Sequence, residues 1–280
     1  MPELPEVETI RLQLEKFLIG HRILDIRINT AKIFPDDKNL IINSKITSID
    51  RYGKALIINL DNHYSLMIHL KMTGQLIYRG SGLKHPKLSK NVGSLPNKHT
   101  HVIFDLDKNA NLFFNDLRKF GYIKILKSSE VASQKFISNL GPEPMKDLTP
   151  KYFQNKLAKS SQKIKLFLLD QKKISGIGNI YANDALWLAK ISPKRPSNKI
   201  TKSESKVLLK AIETVLKNGL KYSGASDNSY VTATGEEGSY QDHFLVYGKK
   251  GELCPNKCGA KIERILLGGR GSFYCLKCQK

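Results

Sequence analysis

All four cysteines of the chain lie near its carboxyl end, in the pattern C-x3-C-x16-C-x2-C. A tail of this length is too short to build an apolar core, whereas four thiolates satisfy a tetrahedral Zn²⁺ ion. Two disulfides or four free thiols are the alternatives. We predict a zinc-ribbon finger over residues 246–280 with one structural zinc ion, and Arg270 at the glycine-flanked tip of its hairpin. The predicted ligands are Cys254, Cys258, Cys275 and Cys278.

The beginning of the chain argues against disulfides. It has neither the basic head nor the apolar run of a signal peptide. No stretch of the chain approaches the roughly 18 consecutive apolar residues of a transmembrane helix. We therefore expect the protein to work in the reducing cytoplasm, where disulfides are rare.

The charge of the chain favours a polyanionic partner. Its 46 lysines and arginines exceed its 25 aspartates and glutamates, which gives a formal net charge of +21. An excess of this size is typical of proteins that bind nucleic acid. A basic surface without a partner is the alternative, and the charge by itself does not decide between the two.

The pattern of apolar residues changes along the chain. Residues 5–19 have helical spacing, with Pro5 in the first turn and Gly20 at the stop. Residues 22–126 are rich in β-branched and aromatic residues separated by turn signals. Residues 151–222 return to helical spacing.

These patterns predict an α+β multidomain protein whose amino-terminal domain is an antiparallel β-sandwich flanked by helices. A lysine-bearing insertion at 80–98 interrupts the strands as a loop, and its pattern assigns it no function. The predicted divisions are the sandwich domain at 2–134, a hinge at 135–150 that includes the proline-rich GPEPMKDLTP, a helical domain at 151–245 and the finger at 246–280.

The chain opens with MPELPEVETI, where prolines and glutamates alternate before any element is complete. Methionine is normally trimmed when the next residue is as small as proline, and Pro2 then carries a free secondary amine. An α-amino group has a pKa of about 8, so part of it is unprotonated at neutral pH and can attack an acetal carbon. Glu3 lies within reach as a general acid or base. The alternative, which the motif by itself favours, is that these residues only begin a helix.

Seven further motifs occur in a fixed order between residues 2 and 279: PELPEVET, GKALIINL, HLKMTGQL, NDLRKFG, GPEP, SGIGNIYA and VYG. In these motifs, followed by the four-cysteine finger, the chain resembles the formamidopyrimidine-DNA glycosylase (Fpg) family. The resemblance implies a helix–two-turn–helix domain at 151–245, with a loop that closes over an everted base. It also implies a monomeric DNA glycosylase and AP lyase. Members excise oxidised purines, chiefly 8-oxoguanine and formamidopyrimidines, from duplex DNA and cut the strand by β,δ-elimination.

The resemblance gives the amino-terminal residues chemical roles. It implies that Pro2 is the nucleophile that attacks C1′ of the damaged nucleotide, and that Glu3 is the proton donor that helps to open the sugar. Lys54 matches the lysine assigned as a proton donor in β-elimination, although its position alone would indicate a surface lysine at a strand start. Glu6 matches another acidic position near the site, or it serves as a first-turn partner of the helix dipole.

The resemblance also implies a set of DNA contacts. Met72, Arg118 and Phe120 match a wedge that fills the gap left by the everted nucleotide, with Arg118 directed at the orphaned base. Arg270 matches the finger arginine that grips the backbone and is credited with δ-elimination. His99 matches a histidine that contacts DNA, and Asn179 stands at the phosphate-binding position of the helix–two-turn–helix element. We also expect Lys165 to lie at a phosphate-facing site.

The chain departs from the family pattern at two places. Lys119 stands where many relatives have a second arginine, which weakens a bidentate phosphate contact. The first cysteine pair has three intervening residues where relatives generally have two, so its knuckle takes a different turn.

The related endonuclease VIII enzymes prefer oxidised pyrimidines, usually begin PEGPE and lack the wedge. The same chemistry on oxidised pyrimidines, or a non-catalytic binder of damaged DNA, are the alternative functions.

Overall fold

The structure is a computed structural model, and it describes residues 1–80, 83 and 87–280. Five residues of the predicted insertion at 80–98 therefore lie outside the described residues. No helix in the part of the chain that the structure describes is long and apolar enough to span a membrane.

The chain forms two compact units that do not follow its linear order. The amino-terminal unit consists of Met1–Ser138 and Gly219–Gln241, and the carboxyl-terminal unit of Asn139–Asn218 and Asp242–Lys280. A segment that follows the last long helix thus belongs to the first unit. The finger belongs to the same unit as the helices. The predicted domains, divided at residues 134, 150 and 245, are each continuous in sequence, whereas each compact unit consists of two separate segments.

The amino-terminal unit is built from short helices and antiparallel strands. Its first helix starts directly after Glu3, and the predicted proline-started helix is confirmed within one residue at each end. The elements are α1 (Leu4–Leu18), β1 (Ile23–Ile28), β2 (Ile46–Tyr52), β3 (Ala55–Leu60), β4 (Tyr64–His69), β5 (Gly74–Arg79), β6 (Thr100–Leu106), β7 (Ala110–Asp116), β8 (Tyr122–Lys127) and α2 (Lys135–Ser138).

The strands form two four-stranded sheets, with orders β1-β6-β7-β5 and β2-β3-β4-β8. Successive side chains of a strand point to opposite faces, and one face of each sheet joins a common apolar core. Leu56 and Ile58 of β3 share that core with Leu76 and Phe114 of the other sheet. Ile57, between them in the chain, packs in a separate outer cluster. The predicted β-sandwich is therefore confirmed.

The carboxyl-terminal unit contains the other helices and the finger hairpin. Its elements are α3 (Pro150–Ala158), α4 (Ile164–Leu169), α5 (Asn179–Leu188), α6 (Lys202–Lys221, whose last residues belong to the first unit), β9 (Ile262–Leu267) and β10 (Arg270–Cys275). Gln171 holds the connection between α4 and α5. Its Oε1 accepts the N–H of Gly176 at 2.9 Å, and its Nε2 donates to the carbonyl oxygen of Ile177 at 2.8 Å. The two-turn connection predicted from SGIGNIYA is present.

Asp184 of α5 fastens the segment that leads into the finger. One carboxylate oxygen accepts the N–H groups of Val246 at 3.0 Å and Tyr247 at 3.1 Å, and the other accepts that of Leu245 at 3.1 Å. Burial raises the pKa of Asp184 to about 6, while the three N–H donors favour its ionised form. A fully buried carboxylate with three backbone donors is a structural anchor for the segment it binds.

We expect Asp184→Ala to lower the free energy of unfolding by about 3 kcal/mol, because it leaves the buried N–H of Val246 and the part-buried N–H groups of Leu245 and Tyr247 without their acceptor. Urea denaturation of the full chain measures the change. Asp242→Asn is the matched control, since Asp242 is exposed, and it should change stability little. Equal stability of Asp184→Ala and the control would contradict the anchor role.

Candidate active site and nucleic-acid interface

The first residues after Met1 are buried. Every residue from Pro2 to Val7 is buried, and Glu3 and Glu6 are only 3 % and 1 % exposed, whereas Met1 is 40 % exposed. Chain ends are frayed in most proteins. Glu3 and Glu6 form a capping box at the start of α1, so the helix start that the motif predicts is confirmed. Because glutamates are rarely this buried, the two acids are also candidates for a functional site.

Glu6 joins the start of α1 to the segment 223–241. One carboxylate oxygen accepts the N–H of Glu3 at 2.7 Å, and the other accepts the N–H of Ala225 at 2.9 Å. Gly224 has positive φ, and a Cβ there would lie 2.9 Å from the Glu6 carboxylate. Tyr230 reinforces the junction, because its hydroxyl donates to the carbonyl oxygen of Ser223 at 2.9 Å. Glu6 is therefore an acidic residue in the first turn of α1, and it also connects the start of α1 to the segment 223–241 by hydrogen bonds.

Lys54 lies in the two-residue turn between β2 and β3. Gly53 supplies the positive φ that the turn requires, at 56°. Lys54 is 5 % exposed, so it is not the surface lysine that its position alone would indicate. Arg51 ties this turn to α1, since its Nε donates to Glu8 at 2.6 Å and its guanidinium donates to the carbonyl oxygen of Gly53 at 2.8 Å. The turn that contains Lys54 is thus connected to α1 through the ion pair of Arg51 and Glu8.

Two titratable side chains near this turn, Glu8 and His69, have shifted pKa values. Burial opposes ionisation of Glu8, but hydrogen bonds from Arg11 and Arg51 hold its pKa below the ordinary value. Burial lowers the pKa of His69 to about 3, with further lowering by Lys71 and Lys54. His69 is therefore neutral at physiological pH, and its Nδ1 accepts the N–H of Lys71 at 3.0 Å. The sequence patterns did not single out His69, which lies two residues before Lys71 in the chain.

The three predicted wedge residues lie on two loops of the amino-terminal unit. Met72 is half-buried in the turn before β5, while Arg118 and Phe120 are exposed in the turn after β7. Phe120 is 52 % exposed, and the guanidinium of Arg118 lies 4.8 Å from the centroid of its ring. The neighbouring Leu117 is also exposed, at 60 %. Exposed apolar side chains on a loop suit insertion into a base stack and do not fit the alternative of core residues.

A cavity of about 360 Å³ adjoins these two loops. Uncharged polar side chains provide most of its lining, and the predicted DNA contact His99 lies at its wall. His99 is half-buried, and its carbonyl oxygen accepts the N–H of Asp116 at 3.0 Å. Among the lining residues are Thr73, Gln75, His99, Asn115, Leu117 and Ser229.

The segment 223–241 is held by the part of the insertion that the structure describes. Asn91 donates to the carbonyl oxygen of Asn228 at 3.0 Å, and the N–H of Ser89 donates to Gly235 at 2.9 Å. Gln75 of β5 donates to the carbonyl oxygen of Ser229 at 2.7 Å. Residues 87–98 therefore form one wall of this segment, a role that their lysine-rich composition did not indicate.

The predicted phosphate contacts in the carboxyl-terminal unit have different surroundings. Asn179 is the first residue of α5, at a helix end whose N–H groups suit an anion. Lys165 is fully buried, and its ammonium donates to the carbonyl oxygen of Gly271 at 2.6 Å and to the hydroxyl of Ser272 at 2.8 Å. The predicted phosphate contact of Lys165 does not fit this geometry, because the ammonium group points into the protein and holds the finger hairpin.

Arg270 is exposed at the start of β10, directly after the hairpin turn. Gly268 and Gly269 form that turn with φ values of 54° and 72°, the pair of positive angles that a tight hairpin requires. Asn183 adds to the support from Lys165, since its Oδ1 accepts the N–H of Phe273 at 2.7 Å. The hairpin therefore presents Arg270 from a braced base.

The four cysteines come together at the other end of the hairpin. Their Sγ atoms all lie within 4.8 Å of one another, and the pairs Cys254–Cys278 and Cys258–Cys275 are 3.8 and 3.5 Å apart. All four are free thiols. A tetrahedral Zn²⁺ ion with Zn–S bonds of about 2.3 Å requires sulfurs roughly 3.8 Å apart. The cluster fits one structural zinc ion, and the three-residue spacing of the first pair does not prevent this.

Comparisons with known proteins agree with this geometry along the whole chain. Residues 1–123 match the Formamidopyrimidine-DNA glycosylase N-terminal domain, residues 140–230 its H2TH domain, and residues 251–280 the zinc finger found in FPG and IleRS. The chain belongs to the formamidopyrimidine-DNA glycosylase family. Similar curated relatives are the Formamidopyrimidine-DNA glycosylases of Pelotomaculum thermopropionicum, 38 % identical with 100 % of this chain and 99 % of the relative covered, and of Lactiplantibacillus plantarum, 39 % identical with 98 % of both covered.

Solved structures of the Lactococcus lactis Fpg are similar to the whole chain. A variant of that enzyme in complex with a Fapy-dG containing DNA has a TM-score of 0.88 and 34 % identity, with both chains covered completely. A complex with an abasic site containing DNA has a TM-score of 0.88 and 35 % identity over 99 % of both chains. The fold of the two units and the finger is thus an Fpg fold.

We expect Glu6→Gln to loosen the segment 223–241, because a carboxamide offers one acceptor oxygen where two N–H groups need one each. Hydrogen exchange followed by mass spectrometry should show at least about tenfold faster exchange at the amide of Ala225. Glu15→Gln is the control, since Glu15 is nearly half exposed on the same helix. Unchanged exchange at Ala225 would show that Glu6 does not hold this segment.

We expect chelation of zinc to unfold the finger and to shift the emission of Trp187 to longer wavelength. Trp187 is the only tryptophan of the chain, and it packs in one cluster with Cys254 and Cys275. Fluorescence titration with a chelator, with released zinc measured in parallel, checks this, and added Zn²⁺ should restore the signal. Stoichiometric zinc release without any change in emission would contradict a finger folded by its metal.

Proposed function

We propose that this protein is a base-excision repair enzyme that removes oxidised purines, 8-oxoguanine and formamidopyrimidines, from duplex DNA and nicks the strand at the resulting site. It is a bifunctional DNA glycosylase and AP lyase. The observation that carries the proposal is the buried chain start. Pro2, which carries a secondary amine once Met1 is removed, is buried next to the acids Glu3 and Glu6, within the residues that match the Formamidopyrimidine-DNA glycosylase N-terminal domain.

The nitrogen of Pro2 acts as the nucleophile once Met1 is removed. It attacks C1′ of the damaged nucleotide, the bond from C1′ to the base breaks, and the base leaves with a proton. Glu3 supplies a proton to the sugar ring oxygen, so that the ring opens to an iminium ion. With Met1 in place the same nitrogen is an amide, which has no nucleophilic lone pair to offer. Excision therefore depends on the processed chain end.

Strand cleavage follows from the same intermediate. The iminium ion acidifies a C2′ proton, whose loss breaks the bond from C3′ to the 3′ phosphate. A second elimination breaks the bond to the 5′ phosphate. Lys54, buried beside α1, moves a proton in the first elimination, and Arg270 on the finger hairpin grips the backbone and assists the second. One nucleophile thus serves both excision and nicking.

The remaining residues hold the DNA open. Eversion of the target nucleotide costs a few kcal/mol of stacking, which the insertion of Met72 and Phe120 offsets in part. Arg118 faces the orphaned base with its hydrogen-bond donors. Asn179 contacts a phosphate, His99 contacts the DNA, and the zinc ion keeps the finger hairpin folded. We place this work on nucleoid DNA in the cytoplasm, with the protein as a monomer.

Oxidised pyrimidines are the second candidate substrate class. A solved complex of the Lactococcus lactis Fpg contains an oxidised pyrimidine in its DNA, and that structure has a TM-score of 0.87 and 34 % identity to this chain. Because a similar enzyme has been crystallised with both kinds of lesion, activity on one lesion does not decide the preference of this protein. The ratio of its cleavage rates on oxidised purines and oxidised pyrimidines decides it.

We expect the wild-type protein to nick a duplex with 8-oxoguanine opposite cytosine faster than a duplex with thymine glycol, and to form a covalent adduct when borohydride is present. Glu3→Gln should lower adduct formation by about a hundredfold, because it removes the general acid. Pro2→Gly should also diminish it strongly. Gel assays of labelled duplexes measure both products.

Lys45→Ala is the control, since Lys45 is exposed just before β2, and it should act as the wild type does. Faster cleavage of thymine glycol would establish the pyrimidine preference instead. Tight binding of lesion DNA with neither nicking nor adduct would leave a non-catalytic binder.

A further inference from the structure

Asp116, at the end of β7, contacts both loops that carry the wedge residues. We propose that Asp116 is a positioning residue that locks these two loops into one rigid body, so that Met72 and the pair Arg118 and Phe120 enter the duplex together. The inference rests on the proposed function, because the wedge has a task only if a nucleotide is everted.

The carboxylate of Asp116 has a partner on each loop. One oxygen accepts from the hydroxyl of Thr73, next to Met72, and from the N–H of Arg118 at 3.1 Å. The other oxygen accepts the N–H of Gly121 at 2.7 Å, directly after Phe120. The hydroxyl of Thr73 also accepts the N–H of Arg118 at 3.0 Å, which closes a small ring of hydrogen bonds between the loops. Both turns therefore meet at one acceptor group.

The arrangement needs a carboxylate at this position. Asp116 is 0 % exposed, and its hydrogen bond from the N–H of Gly121 is buried, so this donor depends on the carboxylate rather than on solvent. A carboxylate has only acceptor sites, and here two oxygens serve three donors. An asparagine would place an N–H₂ group opposite either Gly121 or the loop of Thr73. The first orientation leaves the N–H of Gly121 without its acceptor, and the second removes the acceptor of the Thr73 hydroxyl and of the N–H of Arg118.

The backbone of Asp116 is held as firmly as its side chain. Its N–H donates to the carbonyl oxygen of His99 at 3.0 Å, and its carbonyl oxygen lies 2.8 Å from Nε2 of His101. His101 is 3 % exposed and belongs to β6. The anchor of the two loops is thus part of the sheet, which makes it rigid compared with the loops.

The second loop is tightly packed at Gly121. A Cβ at Gly121 would lie 2.7 Å from Cζ of Phe114 and 3.1 Å from a carboxylate oxygen of Asp116. On the first loop, the N–H of Gly74 donates to the carbonyl oxygen of Leu70 at 2.9 Å, and Lys71 adopts a positive φ of 52°. Each loop is tightly closed, so a shift of one is transmitted through Asp116 to the other.

This coupling explains how a lesion enzyme reads the base opposite the lesion. Arg118 can test the orphaned base only if its backbone is fixed relative to the residue that fills the gap. Met72 fills the gap, and Asp116 fixes the distance between the two loops. Loss of the carboxylate should therefore impair duplex-dependent steps and leave the chemistry at Pro2 intact.

The test uses the full-length zinc-loaded protein and the variants Asp116→Asn and Thr73→Val. Duplexes carry 8-oxoguanine opposite each of the four bases, with 2-aminopurine beside the lesion to report unstacking by fluorescence. We expect Asp116→Asn to lower excision from the duplex opposite cytosine by about tenfold to a hundredfold, and to reduce the spread of rates among opposite bases. Thr73→Val should have the same effect in weaker form, and it keeps the test usable if Asp116→Asn does not fold.

Borohydride trapping on a single-stranded abasic oligonucleotide separates this inference from the proposed function. Trapping there needs Pro2 but no wedge, so both variants should retain the wild-type yield. Asp25→Asn is the control, since Asp25 is more than half exposed and pairs with Lys38 at the surface. No trapping by the wild type would overturn the proposed function itself. Unchanged opposite-base ratios and unstacking in a folded Asp116→Asn, or an equal loss on the single strand, would overturn the positioning role.

Discussion

The two hydrogen bonds of the Glu6 carboxylate, to the N–H groups of Glu3 and Ala225, are the contacts on which the proposed site depends. A chain end has no covalent restraint on one side, so it keeps a fixed position only when its side chains are buried and its polar groups are paired. Glu6 provides both conditions, and it does so by linking residues far apart in the chain. The start of α1, which carries the amine of the proposed reaction, is thereby held against the segment 223–241.

A second principle runs through both units, namely that buried polar side chains hold the exposed ones in place. Asp116 fixes the two wedge loops, and Asp184 fixes the segment that leads into the finger. Lys165 and Asn183 fix the base of the hairpin that carries Arg270. Each anchor is buried and lies in or beside a helix or strand, whereas the side chains that they support, those of the wedge residues and of Arg270, are exposed or half-buried. Precise presentation of a few flexible side chains follows from rigid supports of this kind.

Much of this could be predicted from the sequence because its signals are local. The cysteine spacing, the proline-started helix and the glycine pair before Arg270 each determine a structure within a few residues. The anchors could not be predicted in this way, because each joins residues distant in the chain. Lys165 shows the difficulty well: a lysine in a basic protein that binds DNA suggests a phosphate contact, and only tertiary packing reveals that its ammonium group binds Gly271 and Ser272. The two compact units could not be predicted either, because the segment 223–241 belongs to the amino-terminal unit although it follows the helices of the other unit in the chain.

The central claim is that the nitrogen at the processed chain end forms the bond to deoxyribose. Tandem mass spectrometry of the adduct after borohydride reduction and proteolysis tests it most directly, since it locates the sugar remnant on one atom group. The account predicts a peptide that lacks Met1 and carries the remnant on the amine of Pro2. A remnant on the side chain of Lys54, or an active protein that retains Met1, would contradict it.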